Sequence, residues 1–167
     1  MTFDPKPLSV NALAEQVVSR FAAAGKSIAT AESCTGGLIA GALTDISGSS
    51  AVVDRGFVPY SNRAKTEMLG VPSDLIEAVG AVSEPVARKM AEGALARAPV
   101  DRAVAVTGIA GPGGGSPEKP VGLVHFALAR RRGATVHDSR IYTGMDRHEV
   151  RRATIENALQ MLLASLD

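Results

Sequence analysis

The chain has 167 residues, and its 18 Lys and Arg against 17 Asp and Glu give a formal net charge of +1. The length and the 46% hydrophobic, 21% charged composition are those of one globular domain with a real core, so we expect a single domain over residues 1–167. Near-neutral charge excludes the basic excess of a dedicated nucleic-acid binder. We therefore expect a small or locally charged ligand and no nucleic-acid partner.

The single cysteine, Cys34, can form neither an internal disulfide nor a thiolate cluster, which favours a reducing cytosol and excludes structural zinc. Asp4 and Pro5 lie where a secretory signal needs a positive end and an apolar stretch. The longest charge-free run, 103–117, is glycine-rich and shorter than the about 20 apolar residues of a membrane-spanning helix. We expect a cytoplasmic protein with no membrane association.

Hydrophobic periodicity predicts helices and strands that alternate along the chain. In chain order, the predicted elements are helix 8–24, strand 27–32, helix 38–46, strand 49–58, helices 62–69, 73–79 and 86–98, strands 102–109, 121–129 and 134–142, and helix 146–166. Helices before, between and after the strands indicate an α/β fold: a three-layer α/β/α domain with a mixed sheet of about five strands.

Local signals refine these elements. Residues 54–56 interrupt the second strand and predict a bulge or a strand end near a site, while Pro59 predicts an edge or a terminus. Ser83, with Pro85 in the first turn, predicts a capped start for the fifth helix. The β-branched run 102–109 suits a central strand. The Arg131-Arg132-Gly133 segment predicts a hairpin between the last two strands.

Ser33 is the first candidate nucleophile. It follows a short strand and precedes a helix, where free helix N–H groups can stabilise an oxyanion, and Thr35 shares this position. The alternative is that one of these hydroxyl groups only caps the helix, which is the commoner role of such a residue.

A serine nucleophile needs a base, and the three histidines offer no Ser-His-Asp pattern. His137 and His148 lie in polar segments, and His125 in mid-strand suits a packed core residue. Lys65 is the alternative base, because burial lowers a lysine pKa and leaves a neutral amine, and a cationic neighbour such as Arg63 is expected to lower it further. The phenol of Tyr60 and the hydroxyl of Ser61 precede it, and a solvated helix face is the competing interpretation.

The glycine-rich segment that follows Thr107 lacks both the Walker and the dinucleotide spacing. The exposed backbone N–H groups of this segment still suit an anion. The alternative interpretation is a flexible surface loop. Arg147 and Arg151 lie four residues apart at the start of the last helix, where they either clamp a phosphate or form an ordinary charged surface. Asp and Glu show no paired spacing suited to a metal, so we expect neither a metal nor a cofactor.

Seven short motifs occur together and in order between residues 8 and 163. They are AESCTGG at 31–37, GSS at 48–50, GFVPYSNRAK at 56–65, LGV at 69–71, GAVS at 80–83, TGIAGP at 107–112 and KPVG at 119–122. This set closely resembles the CinA C-terminal-domain family. The resemblance implies a deamidase that hydrolyses nicotinamide mononucleotide to nicotinate mononucleotide and ammonia without a metal.

The resemblance also implies which residues act. Ser33 is the implied nucleophile and Lys65 its base, with Tyr60 assisting the protonation of ammonia. The expected substrate contacts are Thr35, Gly36, Ser50, Thr107, Gly108, Gly111, Gly114, Arg147 and Arg151. The chain departs from the family pattern at Ser47, Pro59 and Met145, of which Pro59 affects how Tyr60 is presented and Met145 where Arg147 lies.

Larger members of the family carry an additional pyrophosphatase-like domain, for which this length leaves no room. Two other classes of function remain open. One is a nucleotide-binding regulatory module without turnover, and the other is an interaction module linked to DNA uptake or repair, against which the neutral charge counts. The expected partners are a pyridine mononucleotide and further copies of the chain in a homo-oligomer.

Overall fold

The computed structural model describes residues 8–167, so the predicted absence of a leader at residues 4–5 lies outside it. Its elements, in chain order, are α1 (Val10–Ala23), β1 (Ile28–Glu32), α2 (Leu38–Thr44), β2 (Val53–Phe57), α3 (Asn62–Leu69), α4 (Ser73–Val79), α5 (Glu84–Arg97), β3 (Arg102–Gly108), β4 (Leu123–Arg130), β5 (Val136–Ile141) and α6 (Arg147–Ala164). A single 3₁₀ turn, Ser49–Ala51, precedes β2. The prediction of alternating helices and strands is confirmed.

The five strands form one mixed sheet in the order β2-β1-β3-β4-β5. β1 pairs in parallel with both β2 and β3, whereas β3, β4 and β5 are antiparallel neighbours. The predicted three-layer α/β/α fold with a mixed sheet of five strands is therefore confirmed, as are the central position of β3 and the hairpin that joins β4 to β5.

Two apolar cores lie on opposite faces of the sheet. One core packs α1, α2 and α6 against large side chains such as Ile28, Val106 and Phe126. The other packs α5, with α3 and α4 beside it, against small residues such as Ala103, Ala105 and Ala127. The alternation of large and small side chains along β3 and β4 follows the period of a strand, in which successive side chains point to opposite faces.

Two predicted details differ from the structure. The strand predicted over 49–58 begins only at Val53, because the 3₁₀ turn occupies its first residues. Ser83 does not cap α5 with its side chain; its hydroxyl donates to the Gly80 carbonyl, and the helix begins one residue later. The predicted bulge is confirmed, since the register between β1 and β2 skips Asp54, and β2 is an edge strand that ends before Pro59.

The parallel strands place the carboxyl ends of β1 and β3 side by side. There the amide of Ser33 continues the ladder by donating to the Val106 carbonyl at 3.1 Å. Ligand sites of α/β folds are found at such edges. Among residues 8–167, no helix has both the length and the apolar composition needed to span a membrane.

Candidate active site

A cavity of about 300 Å³ opens beyond the carboxyl ends of β1 and β3. Its lining residues come from the end of β3, from the segments that follow β1, β2 and β3, from the loop before α5 and from the start of α6: Ser33, Cys34, Tyr60, Asn62, Lys65, Ala81, Val82, Thr107, Gly108, Ala110 and Arg147. The volume lies at the lower end of the range for small-molecule sites.

A buried carboxylate fixes the turn that carries Ser33. Glu32 is fully buried, and its oxygens accept the Thr35 hydroxyl at 2.7 Å and the α2 amides of Ile39 at 2.7 Å and Ala40 at 3.0 Å. Glu32 therefore accepts the hydrogen bonds of N–H groups at the start of α2. The partial positive charge of a helix amino terminus favours a carboxylate at this place. The interpretation of Ser33 or Thr35 as the helix cap is wrong, and the buried Thr35 hydroxyl is engaged by Glu32.

Ser33 and Lys65 meet inside the cavity, although 32 positions separate them in the chain. Lys65 Nζ lies 3.3 Å from Ser33 Oγ and donates to the Tyr60 carbonyl at 3.2 Å. Both side chains are buried, Ser33 at 8% and Lys65 at 2% exposure. The solvated helix face considered for Lys65 is wrong, because this side of α3 packs inward.

Burial lowers the pKa of Lys65 below its ordinary value of 10.5, because an ammonium loses hydration inside the protein. A Cys34 thiolate would act against this shift, but burial raises the pKa of Cys34 to about 12 and keeps it a thiol at neutral pH. Arg63 was the expected cationic neighbour; its guanidinium instead points to solvent and pairs with Glu67. Burial alone is therefore the main cause.

Tyr60 lines the cavity and contributes its carbonyl to the site. The carbonyl accepts a hydrogen bond from Lys65 Nζ, and the residue is 64% exposed. Ser61, the other hydroxyl of the motif, accepts the Ala64 amide as the cap of α3 and does not line the cavity. This capping bond fixes the start of the helix that delivers Lys65.

The two arginines at the start of α6 project from one face toward different loops. Arg147 lines the cavity and donates to the Gly111 carbonyl at 2.8 Å. Arg151 donates to the carbonyls of Cys34 at 3.1 Å and Thr35 at 3.3 Å, so it braces the turn that carries Ser33. The solvated helix surface does not describe Arg151, which is half-buried, whereas Arg147 is exposed where it lines the cavity.

The remaining predicted contacts divide into two groups. Thr107 and Gly108 line the cavity, and the Thr107 hydroxyl donates to the Ala81 carbonyl at 3.0 Å. The predicted contact residues that do not line it are Thr35, Gly36, Ser50, Gly111, Gly114 and Arg151. Of these, Ser50 is exposed in the 3₁₀ turn, and Gly36 turns the backbone with φ +59°.

Sequence reasoning did not select several lining residues. Asn62, Ala81 and Val82 belong to motifs that were recognised as wholes, so proximity to the chosen residues was the available signal. Glu32 was missed although it also lies in a recognised motif, because a carboxylate in an otherwise apolar strand requires buried partners. That requirement is a signal that sequence alone provides.

The histidines lie outside this cavity. His125 on β4 approaches His137 on β5 with ring nitrogens 2.9 Å apart, and burial is the main cause that lowers the pKa of His125. His125 is therefore a packed and satisfied residue, as expected. Within residues 8–167, no group of three or more His, Cys, Asp or Glu side chains is arranged to hold a metal ion.

Glu32→Gln is expected to lower both the free energy of unfolding and the rate of the hydrolysis that the sequence motifs imply. The amide keeps one acceptor oxygen but turns an NH₂ donor toward N–H and hydroxyl donors, which costs about 2 to 3 kcal/mol. The free energy of unfolding from urea denaturation measures the first effect, and steady-state kinetics the second. Glu118→Gln, at an exposed loop position, is the matched control. Equal stability of the two variants would contradict the bracing role of Glu32.

Fold and cavity define a small α/β domain with a ligand-sized site at the carboxyl ends of its parallel strands. The family model described as "CinA C-terminal domain" matches residues 10–166. The chain belongs to this family, as the sequence motifs predicted.

Curated relatives fall into two lengths. Nicotinamide-nucleotide amidohydrolase PncC of Escherichia coli is 53% identical over 150 residues, which make up 90% of each chain. The CinA-like protein of Akkermansia muciniphila is 54% identical over 151 residues, but these are 36% of that protein. The chain thus spans about a third of the length of the CinA-like relatives.

Solved structures share the whole fold. The crystal structure of competence/damage inducible protein CihA from Agrobacterium tumefaciens superposes with a TM-score of 0.93 at 53% identity and covers 100% of both chains. The competence damage-inducible protein A from Klebsiella pneumoniae superposes with a TM-score of 0.90 at 36% identity.

Proposed function

We propose that this protein is an amidohydrolase that converts nicotinamide mononucleotide and water to nicotinate mononucleotide and ammonia, with Ser33 as nucleophile and Lys65 as base. The observation that carries the proposal is the 3.3 Å approach of Lys65 Nζ to Ser33 Oγ in a buried cavity. The similarity to the Escherichia coli amidohydrolase along nearly its whole length supports the substrate.

The acylation step follows from this pair. Neutral Lys65 takes the hydroxyl proton as Ser33 Oγ bonds to the carboxamide carbon, and the carbonyl oxygen becomes an oxyanion. As the intermediate collapses, the C–N bond breaks and the Lys65 ammonium gives its proton to the leaving nitrogen, which departs as ammonia. The Tyr60 carbonyl accepts a hydrogen bond from Lys65 Nζ at 3.2 Å, which keeps Nζ close to Ser33 Oγ and to the leaving nitrogen.

Deacylation uses the same base a second time. Water enters where ammonia left, Lys65 takes one of its protons, and the resulting hydroxide attacks the acyl-Ser33 carbon. The ester bond breaks, Ser33 Oγ recovers the proton from Lys65, and the carboxylic acid product leaves and releases its remaining proton to the solvent. A single lysine thus moves one proton in each direction during each half-reaction.

Backbone amides of the turn suit the oxyanion. Gly36 N is engaged by the Ser33 carbonyl at 3.1 Å, so it is not available. Within the described chain, the amides of Cys34 and Thr35 donate to no backbone acceptor, and we assign the oxyanion to them. Arg151 holds the two carbonyls of these residues, which fixes the direction of the turn.

The decisive experiment incubates purified protein with nicotinamide mononucleotide and measures ammonia and nicotinate mononucleotide in equal amounts. Turnover is expected to persist in excess EDTA, because lysine supplies the base. Loss of turnover on chelation that a divalent ion restores would contradict the serine-lysine mechanism and indicate a metal-activated water. Saturable binding of the nucleotide without ammonia would instead indicate a regulatory module.

Arg147 is the proposed phosphate anchor, since it lines the cavity and one of its nitrogens already holds the Gly111 carbonyl. Arg147→Ala is expected to weaken nicotinamide mononucleotide about tenfold or more, through loss of a charge-assisted contact. Nicotinamide riboside, which lacks the phosphate, should lose little. Titration calorimetry of both ligands measures the difference, with Arg152→Ala on the outer side of α6 as control. Equal weakening of both ligands would reject the anchor.

A further inference from the structure

A second cavity lies at the opposite end of the sheet from the candidate active site. It measures about 380 Å³ and is lined by Lys26, Asp101, Arg102, Arg131 and Arg132. These residues come from three separate places: the turn before β1, the start of β3 and the turn after β4. We call this group the basic cavity. It is at least as large as the site that holds Ser33.

Its charge is far from balanced, because four cationic side chains surround one carboxylate while the whole chain carries a formal net charge of only +1. That carboxylate is already engaged: Asp101 Oδ2 accepts the Ser27 amide at 2.9 Å and the Ser27 hydroxyl at 3.2 Å. Between residues 8 and 167, none of the four cations forms an ion pair.

Two of the cations are held in place. Arg102 donates Nε to Ser165 Oγ at 3.3 Å, Nη2 to the Ser165 carbonyl at 3.0 Å and Nη1 to the Asp101 carbonyl at 3.0 Å. Arg131 donates Nη2 to the Ala98 carbonyl at 2.9 Å. Carbonyl partners orient these guanidinium groups without cancelling their charge, so the positive potential of the basic cavity is built into the fold.

The other two cations remain adjustable. In the described part of the chain, the side chains of Lys26 and Arg132 make no hydrogen bond, and Arg132 is exposed at the tip of its turn. Like charges that converge in a concave, partly desolvated site repel one another, and an anion offsets this repulsion. Fixed guanidinium groups flanked by two cations that are free to turn toward a ligand suit a molecule with several negative oxygens.

We propose that the basic cavity binds a small oligophosphate, either inorganic or as the phosphate chain of a nucleotide. Arginine matches phosphate oxygens through two parallel N–H bonds, and lysine adds a point charge. The limited size of the cavity, about 380 Å³, and the near-neutral charge of the rest of the chain favour a compact anion over a nucleic-acid strand, which needs an extended basic track. This site shares no lining residue with the proposed catalytic site.

Titration calorimetry with inorganic tripolyphosphate, at low and at physiological ionic strength, tests the proposal. One molecule is expected to bind per chain, and Lys26→Ala with Arg132→Ala should weaken binding about tenfold or more. Lys89→Ala with Arg152→Ala removes the same charge from α5 and α6, outside this cavity, and should leave the affinity within about twofold. Unchanged thermal unfolding and amidohydrolase turnover show that the first double variant is folded.

Further ligands separate the sources and the alternatives. Tighter binding of adenosine triphosphate than of tripolyphosphate identifies a nucleotide ligand, and the reverse order an inorganic one; either supports the proposal. Equal losses in the two double variants would overturn it, because they indicate general charge attraction. Displacement of tripolyphosphate by nicotinamide mononucleotide would overturn it by placing the anion in the catalytic site. So would binding of a single-stranded oligonucleotide without binding of tripolyphosphate.

Discussion

Ser33→Ala is expected to reduce turnover of nicotinamide mononucleotide by about 10³-fold or more, since removal of the nucleophile in serine hydrolases leaves only the contributions of binding and of the oxyanion site. Ser33 is 8% exposed and its hydroxyl lies against Lys65 Nζ, so the change removes one oxygen and leaves the turn intact. Substrate affinity, measured by calorimetry on the inactive variant, should change little because the oxygen contributes mainly to bond formation.

Ser19→Ala is the matched control, because Ser19 is exposed on α1, far from the cavity lining. Both variants should unfold at urea concentrations close to that of the unmodified protein. Mass spectrometry of a reaction stopped early should detect the acyl adduct on Ser33 and none in the alanine variant. Substantial turnover by Ser33→Ala would remove the serine from the mechanism, and Thr35, whose hydroxyl is bound by Glu32, offers no ready replacement.

Residue type and periodicity explain why the fold was predictable. The run that became β3 is rich in β-branched residues, and α1 repeats its apolar residues mostly at three- and four-residue steps, so the first indicates a strand and the second a helix. Residues 49–51 were assigned wrongly to a strand because Ser49, Ser50 and Ala51 carry no periodic signal of their own. In the structure, Val52 N donates to the Ser49 carbonyl, and this bond belongs to the 3₁₀ turn.

Residues of the site were predictable where recognised motifs contain them: Ser33 in one motif and Tyr60 and Lys65 in another line the same cavity. Long-range partners were not predictable. Arg151 resembles Arg147 in every sequence property, yet a turn more than 100 positions away engages Arg151 and not Arg147. Only the folded chain shows that one arginine braces the turn while the other faces the ligand site.

Arg63 was expected to act on Lys65, and the structure shows that it does not. Its closeness to Lys65 in sequence suggested a charge that would help lower the lysine pKa, but two residues along a helix place side chains on different faces. Arg63 points to solvent and pairs with Glu67, one helical turn away. The lowering of the Lys65 pKa therefore depends on burial, and it should persist in Arg63→Ala.

Lys65→Arg is expected to abolish turnover almost completely, by about 10³-fold or more, because arginine keeps the positive charge but does not release its proton at working pH. Lys65→Met, which has similar length and no charge, should be equally inactive. Inactivity of both the cationic and the uncharged variant identifies proton transfer as the role of Lys65. Lys89→Arg on the exposed side of α5 is the control and should retain full turnover.

Dependence on pH provides an independent measurement. Because burial lowers the Lys65 pKa below 10.5, kcat/KM should rise with pH as this group loses its proton, and the midpoint of the rise should lie below that value. The free energy of unfolding should also increase with pH. Between the lowered pKa and 10.5 the unfolded chain binds one more proton than the folded chain, so the free energy of unfolding rises with pH.

Lys65→Met removes this titration, so urea denaturation at a series of pH values should show the stability of the unmodified protein rising relative to Lys65→Met across that window. The difference should be constant below the lowered pKa, where both states of the unmodified chain carry the proton. If the stabilities of the unmodified protein and of Lys65→Met changed with pH in parallel over the whole range, folding would not shift the Lys65 pKa, and Lys65 would be a charged lysine at neutral pH. If Lys65→Arg also retained most of the turnover, the lysine would hold substrate by its charge, and the exposed phenol of Tyr60 would be the next group to test as the base.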